Sequence, residues 1–324
     1  RAAMLGAKKN ASAASGAAPA DRPALLGDFS TRDPMRWSAT TDELFRHASL
    51  KDAAADPAVK ETLHYREALF AGLRGIRQRP LSANTAAEVC SSVTGHEMSL
   101  RSLPGTFIGN PVTLHPCYTP PEGKELLARK LREWEEVVHA GDELDPLVAM
   151  AAAHYQFEAI HPFADGNGRT GRILNILMLV ERGLLAEPVL YLSRHIVRNK
   201  NQYYDRLLAV TSDGAWEEWL SFMLIAVQST AEETLSTLDR IQGLRSSIRD
   251  QTRSLFRGGL SADFLDALFH QPYCRIADIV RACGVSRPTA AKWLEGLVEL
   301  GFLRDERIGR ERIFVNLQLM DALS

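Results

Sequence analysis

Between His161 and Arg172 the chain reads HPFADGNGRTGR, which sets one imidazole, one carboxylate, two glycines around an asparagine, and two arginines within twelve positions. Each residue type has a use beside a phosphate. Gly166 and Gly168 let a backbone approach closely and take up positive φ. Arg169 and Arg172 carry fork-shaped cations that suit phosphate oxygens. Asp165 cannot help an anion directly, but a carboxylate just ahead of such a turn can hold a Mg²⁺ that bridges phosphates. His161 remains as the one group able to accept a proton near neutral pH. Together these residues make a phosphate-binding turn with a base beside it. The alternative is a plain turn with His161 capping a helix. A plain turn has no use for the acid and both arginines at once, so their joint occurrence favours the chemical reading. Phe163 is read as a core plug that orients the loop.

The elements that position this turn follow from periodicity. ILNILMLVERGLL comes directly after it, with Ile173, Ile176, Leu177, Val180 and Leu184 at the spacing of a buried helix face. Gly166, Asn167 and Gly168 therefore stand at a helix N-terminus, where unpaired N–H groups and the dipole favour an anion. Ahead of the turn, Asp145-Pro146 has the N-cap and first-position chemistry that opens LVAMAAAHYQFEAI. His154 on that helix is read as a core histidine rather than a second base. Further upstream, TTDELFRHASL, VKETLHYREALFAGLRGI and LSANTAAEVCSSVTG read as helices, and KELLARKLREWEEVVHAG as one ending at Gly141. Pro104 to Gly123 interrupts them with the extended runs GTFIGN and VTLHPCY, read as a β-hairpin and loop. Downstream, LSRHIVRNKNQYYDRLLAV reads as one helix. The stretch from Ala215 to Phe256 reads as a single long helix of the kind that joins domains or supports a dimer.

The string at 161–172 resembles the Fic family signature HxFx(D/E)GNGRxxR at every defined position. AAAHYQFEAI before it, LYLSRHIVRNKNQYYDRLLAV after it, and PGTFIGN with YTPPEG upstream are similar to Fic sequence in the same order, over roughly residues 40–320. The resemblance implies a mostly α fold: a Fic-type helical bundle with a small β-hairpin flap at 104–123, followed by a winged helix-turn-helix domain. It implies transfer of AMP from ATP to a Ser, Thr or Tyr hydroxyl of a protein, with release of pyrophosphate. In that reaction His161 is the base and Asp165 holds Mg²⁺. Gly166, Asn167, Gly168, Arg169, Thr170, Gly171 and Arg172 form the nucleotide cradle, with Arg172 toward the terminal phosphate. Tyr203 and Tyr204 stand where the family sets side chains against the nucleotide; adjacent tyrosines that only pack are the plainer alternative. The flap would align an extended target segment by main-chain pairing. Relatives also carry an inhibitory helix motif, (S/T)xxxE(G/N), whose glutamate pairs with the second arginine. Its expected place reads STRDPMRW, with Met35 where the glutamate should be, Pro34 beside it and Glu43 offset. This departure implies an enzyme without its own brake.

From Ser261 onward three short helices and the run FLRDERIGRERIFVN, turning at Ile308-Gly309, resemble a winged helix-turn-helix with SRPTAAKWL as recognition helix. Arg287, Thr289 and Lys292 would face a groove, with Arg307, Arg310 and Arg312 on the wing. The electrostatic case for DNA is weak: residues 261–324 hold eight Lys/Arg against nine Asp/Glu.

Composition bounds the rest. The 324 residues suffice for two domains, and a formal charge of −2 provides no basic field. The expected organisation is a disordered lead-in at 1–28, a helical region at 29–100, a catalytic core at 101–257 and the winged helix at 261–324. Four cysteines without CxxC pairing suggest a reducing compartment. No run is long enough to span a membrane, and the basic start lacks the apolar stretch of a signal peptide, so a cytoplasmic protein is expected. Expected partners are ATP, a protein substrate that is either another protein or this chain itself, and a second copy. Two competing readings are Fic-type transfer from another nucleotide donor, and a nucleotide-sensing regulator acting through the winged helix. An intact His161 argues against pure sensing, because phosphate binding alone needs no base.

Overall fold

The computed structural model describes residues 57–109, 116–253, 261–308 and 311–323. The lead-in, the TTDELF segment, Met35, the tip of the flap and the wing residues Gly309 and Arg310 lie outside them. The fold is mostly helical with small antiparallel sheets. In chain order it comprises α1 (Pro57–Ile76), α2 (Ala83–Thr94), β1 (Ile108–Gly109), β2 (Pro116–Tyr118), α3 (Lys124–Val138), α4 (Pro146–Ile160), α5 (Asn167–Glu181), α6 (Leu192–Arg198), α7 (Lys200–Asp213) and α8 (Trp216–Thr252). Then follow α9 (Ala262–His270), β3 (Tyr273–Cys274), α10 (Ile276–Cys283), α11 (Arg287–Glu299), β4 (Leu303–Ile308), β5 (Glu311–Asn316) and α12 (Leu317–Leu323). No helix among the described residues is long and apolar enough to cross a membrane.

The described chain divides into two units, one of Lys60–Ala231 and one of Glu232 onward that also takes the first three residues of α1, so one boundary falls inside α8. In the first unit α4 and α5 are the central pair. Both are buried almost all round, α4 from Ala149 to Ile160 and α5 from Asn167 to Leu179. Their sequences accordingly lack the polar face of a surface helix. The structure departs from the expected face of α5 at its end: Gly183 takes φ 74, the helix stops at Glu181, and Leu184 is exposed. Asp145 caps α4 as expected, its Oδ1 accepting from the N–H groups of Leu147 at 2.9 Å and Val148 at 3.3 Å.

Three further boundaries differ from the reading of the sequence. α3 ends at Val138, and Gly141, with φ 62, opens a 3-10 turn instead of capping it. The run after Leu192 is two helices broken at Asn199, whose Nδ2 donates to the His195 carbonyl at 2.9 Å, an alternative that a local side chain offers to the helical ladder. β1 begins at Ile108 rather than at the start of its extended run, and pairs antiparallel with β2 with Ile108 opposite Tyr118.

In the second unit the three helices and the β4–β5 ribbon pack round Phe264, Leu294 and Phe314. A third strand, β3, joins β5 through Tyr273 opposite Val315; two residues carry no periodicity that would reveal it. Arg312 on the ribbon donates to Asp305 at 2.7 Å and to Glu295 at 2.6 Å, and lies 4.9 Å from the Phe314 ring centroid. Those carboxylates hold its pKa above the usual arginine value. Arg304 pairs with Glu306. Two of the eight cations counted in residues 261–324 are thus paired locally.

Candidate active site

The site is built where α4 ends and α5 begins. His161 follows the last residue of α4 in the left-handed conformation, φ 48 and ψ 61, while its N–H still closes the helix onto Phe157 at 2.9 Å. It is the one non-glycine residue at positive φ among the described residues, and strain of this kind gathers at functional positions. Phe163 is fully buried beneath the loop. Asn167 closes the loop from both sides: its Oδ1 accepts from Phe163 N–H at 2.9 Å, and its Nδ2 donates to the Phe163 carbonyl at 2.8 Å. The side chain of Asn167 thereby shapes the turn, leaving backbone N–H groups to meet an anion.

Gly166 is the N-cap of α5 with φ 78, and no side chain caps that end. The first N–H groups of the helix are therefore open to a ligand. Gly168 lies inside the helix without a positive φ; a Cβ there would stand 3.3 Å from Arg172 Nη1, so its role is close approach only. Gly171 faces α4, where a Cβ would meet Glu158 Oε1 at 2.5 Å and His154 at 3.3 Å. Thr170 is fully buried, and its Oγ1 makes no hydrogen bond. Arg172 is buried. Arg169 donates to Glu61 on α1 at 2.8 Å and lies 3.5 Å from Asp165 Oδ2. Asp165 accepts from Gly166 N–H at 2.6 Å and keeps its carboxylate half exposed. The described residues hold no cluster of three or more metal-ligating side chains. One accessible carboxylate is what a Mg²⁺ shared with phosphates requires, since that ion takes one or two protein carboxylates and keeps its remaining positions for phosphate and water.

Both tyrosines of α7 are buried. Tyr203 hydrogen-bonds His154 Nε2 through its hydroxyl at 2.9 Å, and so belongs to the packing between α4 and α7. Tyr204 lines a small cavity of about 20 Å³ with Ile108, Tyr118, Leu207, Leu208 and Glu158.

Four contributors escaped the sequence reading: Arg101, Glu61, Cys90 and Glu158. Arg101 is buried against the carbonyls of the catalytic turn, with Nε 2.7 Å from the His161 oxygen. Cys90 lies under the turn and donates from Sγ to the Asp165 carbonyl at 3.2 Å. Only Glu158 left a signal, as the single acidic residue in the apolar run of α4.

Electrostatics favour a neutral base. Burial, then the Arg101 guanidinium, lower the pKa of His161 to about 4, against the opposing pull of the Glu158 carbonyl and Asp165. His154 is lowered to about 3 by burial and by Arg172. Both histidines therefore bind a proton more readily when unfolded, near pH 6.5, than when folded. Stability must rise with pH between roughly 4 and 6.5 and be lost as the pH falls through that window. Each histidine should account for about 2 kcal/mol between neutral pH and pH 5. Urea unfolding at the two pH values checks this, and His154→Gln should remove about half of the difference, leaving the His161 share. An unchanged difference would show that His154 does not contribute to it.

Residues 96–179 match the Fic/DOC family, and residues 241–319 match the family described as protein adenylyltransferase SoFic-like, C-terminal domain. A protein adenylyltransferase Fic of Aedes aegypti is 34% identical over 87 residues, 27% of this chain and 16% of that protein. Its counterpart in Drosophila virilis is 26% identical over 158 residues, 48% of this chain and 30% of that protein. The chain thus spans less than a third of the length of these relatives. Among solved structures, a Fic family protein from Desulfovibrio desulfuricans G20 aligns with a TM-score of 0.48 and 20% identity, over 97% of this chain and 84% of that one.

Proposed function

We propose that this chain, which carries a Fic/DOC family domain and a SoFic-like C-terminal domain, transfers AMP from ATP to a Ser, Thr or Tyr hydroxyl of a protein and releases pyrophosphate. The observation that carries this reading is a buried, neutral His161 set directly before the uncapped N-terminus of α5. A phosphate-binding turn without chemistry needs no such base.

The residues divide the work as follows. Nδ1 of His161 is sealed inside the protein, which leaves Nε2 to take the proton of the acceptor hydroxyl. As that proton moves, the hydroxyl oxygen bonds to the α-phosphorus, and the bond from the α-phosphorus to the oxygen of the leaving pyrophosphate breaks. The N–H groups opening α5 hold phosphate oxygens, and Arg172 faces the terminal phosphate. Arg169, tied to Glu61 and Asp165, braces the cradle from the side of α1. Mg²⁺ held by Asp165 would neutralise charge on the phosphate oxygens when bound. The small cavity beside Tyr204 has an apolar lining, and Tyr204 is the tyrosine assigned to the nucleotide. The strand pair β1–β2 offers an edge to an extended acceptor segment, in another protein or in this chain itself. A cytoplasmic setting, with ATP at hand and thiols kept reduced, suits the four free cysteines.

The direct test is incubation with Mg²⁺ and α-labelled ATP, alone and with a cell lysate, beside a sample containing EDTA. Label on protein that EDTA removes is the expected result. Label from γ-labelled ATP instead would mean transfer of a different group. Salt-dependent retention on DNA with no label on protein would shift the reading to a nucleotide-sensing regulator.

A further inference from the structure

The end of α4 poses a structural problem that one side chain solves. A helix C-terminus leaves carbonyls without partners, and here the chain leaves the helix through a strained left-handed histidine. Arg101, more than 60 positions away from Pro162 in sequence, is only 6% exposed and reaches all three carbonyls at that point. Its Nε donates to the His161 carbonyl at 2.7 Å, its Nη2 lies 3.4 Å from the Ile160 carbonyl, and its own N–H donates to the Pro162 carbonyl at 3.0 Å. The same Nη2 donates to the Pro121 carbonyl at 2.5 Å, in the segment leaving β2. A second bond runs parallel to this one, from the Tyr118 hydroxyl to the Ala159 carbonyl at 2.8 Å.

We infer that Arg101 is a positioning residue that fixes the His161 imidazole against the β1–β2 strand pair, and so sets the distance between base and acceptor hydroxyl. This rests on the reading of His161 as the base. The fork of a guanidinium is what the task requires: it spans carbonyls on both segments at once, whereas an ammonium is a compact point charge on a flexible stem. Arg101 touches no reacting atom in this account. Its effect passes through the backbone on either side of the base, where a displacement near 1 Å costs on the order of 100-fold in rate.

The test uses the full chain carrying Arg101→Gln and, separately, Arg101→Lys, with Tyr118→Phe as a comparison that removes the parallel bond but leaves the clamp. Labelled AMP incorporation from ATP into lysate protein gives the rate at saturating ATP and the ATP concentration for half-saturation. Amide hydrogen exchange reports on 159–163 and 119–122 without depending on turnover. The expected result is a fall of about 30- to 100-fold in saturated rate for both Arg101 variants, with half-saturation within about twofold. Exchange should rise in both segments together, and Tyr118→Phe should show the smaller effect. The lysine variant should fail to rescue, because it keeps the charge but loses the fork. Wild-type rates in both variants, or a loss matched by exchange rising evenly across the chain, would overturn the inference. If the wild-type chain incorporates no label, the reading of His161 fails on its own. The exchange data then decide the clamp: a joint rise in the two segments supports it, and no rise in either overturns it.

Discussion

His161→Asn should abolish protein-directed AMP transfer, by about 10³-fold or more, while leaving ATP binding within about threefold of wild type. Asparagine is the informative substitution because it tolerates the left-handed conformation that His161 holds at φ 48, whereas alanine adds backbone strain to the loss of the ring. Neither replacement can accept a proton near neutral pH. ATP affinity should survive, because the parts placed around the phosphates are the backbone of α5, Arg172 and the Asp165 carboxylate, none of which hydrogen-bonds the imidazole. The measurement pairs labelled incorporation with calorimetric ATP binding in both variants. Retained transfer in His161→Asn would remove the base from the mechanism. Lost binding would instead make His161 part of the cradle.

Gly166→Ala and Gly168→Ala should differ widely, though the sequence presents the two glycines as equivalents around one asparagine. At Gly166 the backbone has φ 78, and a Cβ would lie 2.9 Å from Thr94 Cγ2 and 3.2 Å from Cys90 Sγ. Left-handed strain and the clash against α2 together should cost about 2–4 kcal/mol. That corresponds to a fall in Tm of roughly 5–15 °C for a unit of this size. The turn ahead of α5 would also shift, so transfer by the surviving folded protein should drop about tenfold or more. At Gly168 the backbone is helical, and the added Cβ meets only the end of the flexible Arg172 side chain at 3.3 Å. Its Tm should stay near wild type or rise slightly, since alanine is the better helix former, and any loss should appear in ATP affinity through a displaced Arg172. Melting curves and ATP titrations on both variants decide. Equal destabilisation at the two positions would contradict the assignment of the left-handed cap to Gly166 alone.

Helix positions near the site were readable from local chemistry. Asp145-Pro146 announced the start of α4, and the apolar spacing from Ile173 announced α5; capping and burial of these residues depend on neighbours a few positions away. Boundaries failed where a distant or idiosyncratic interaction overrode the pattern. The Asn199 side chain breaks one predicted helix in two, and Gly141 starts a 3-10 turn past the end of α3. β3 is too short to carry a period, and exists because β5 pairs with it.

The sequence by itself determined the chemical inventory of the turn: a base, a carboxylate, flexible backbone and two guanidinium groups, in an order that lets them converge at a helix N-terminus. It did so because those residues are contiguous, and a helix start is a local structure. Only the tertiary structure decided what state and posture they hold. His161 is kept neutral by burial and by Arg101, Arg169 is held by Glu61 from α1, and Gly166 rests on Cys90 and Thr94 of α2. Those partners lie far away along the chain. Desolvation and close packing between remote segments arise only once α1, α2, α4 and α5 have come together, and no short-range pattern of residues encodes them.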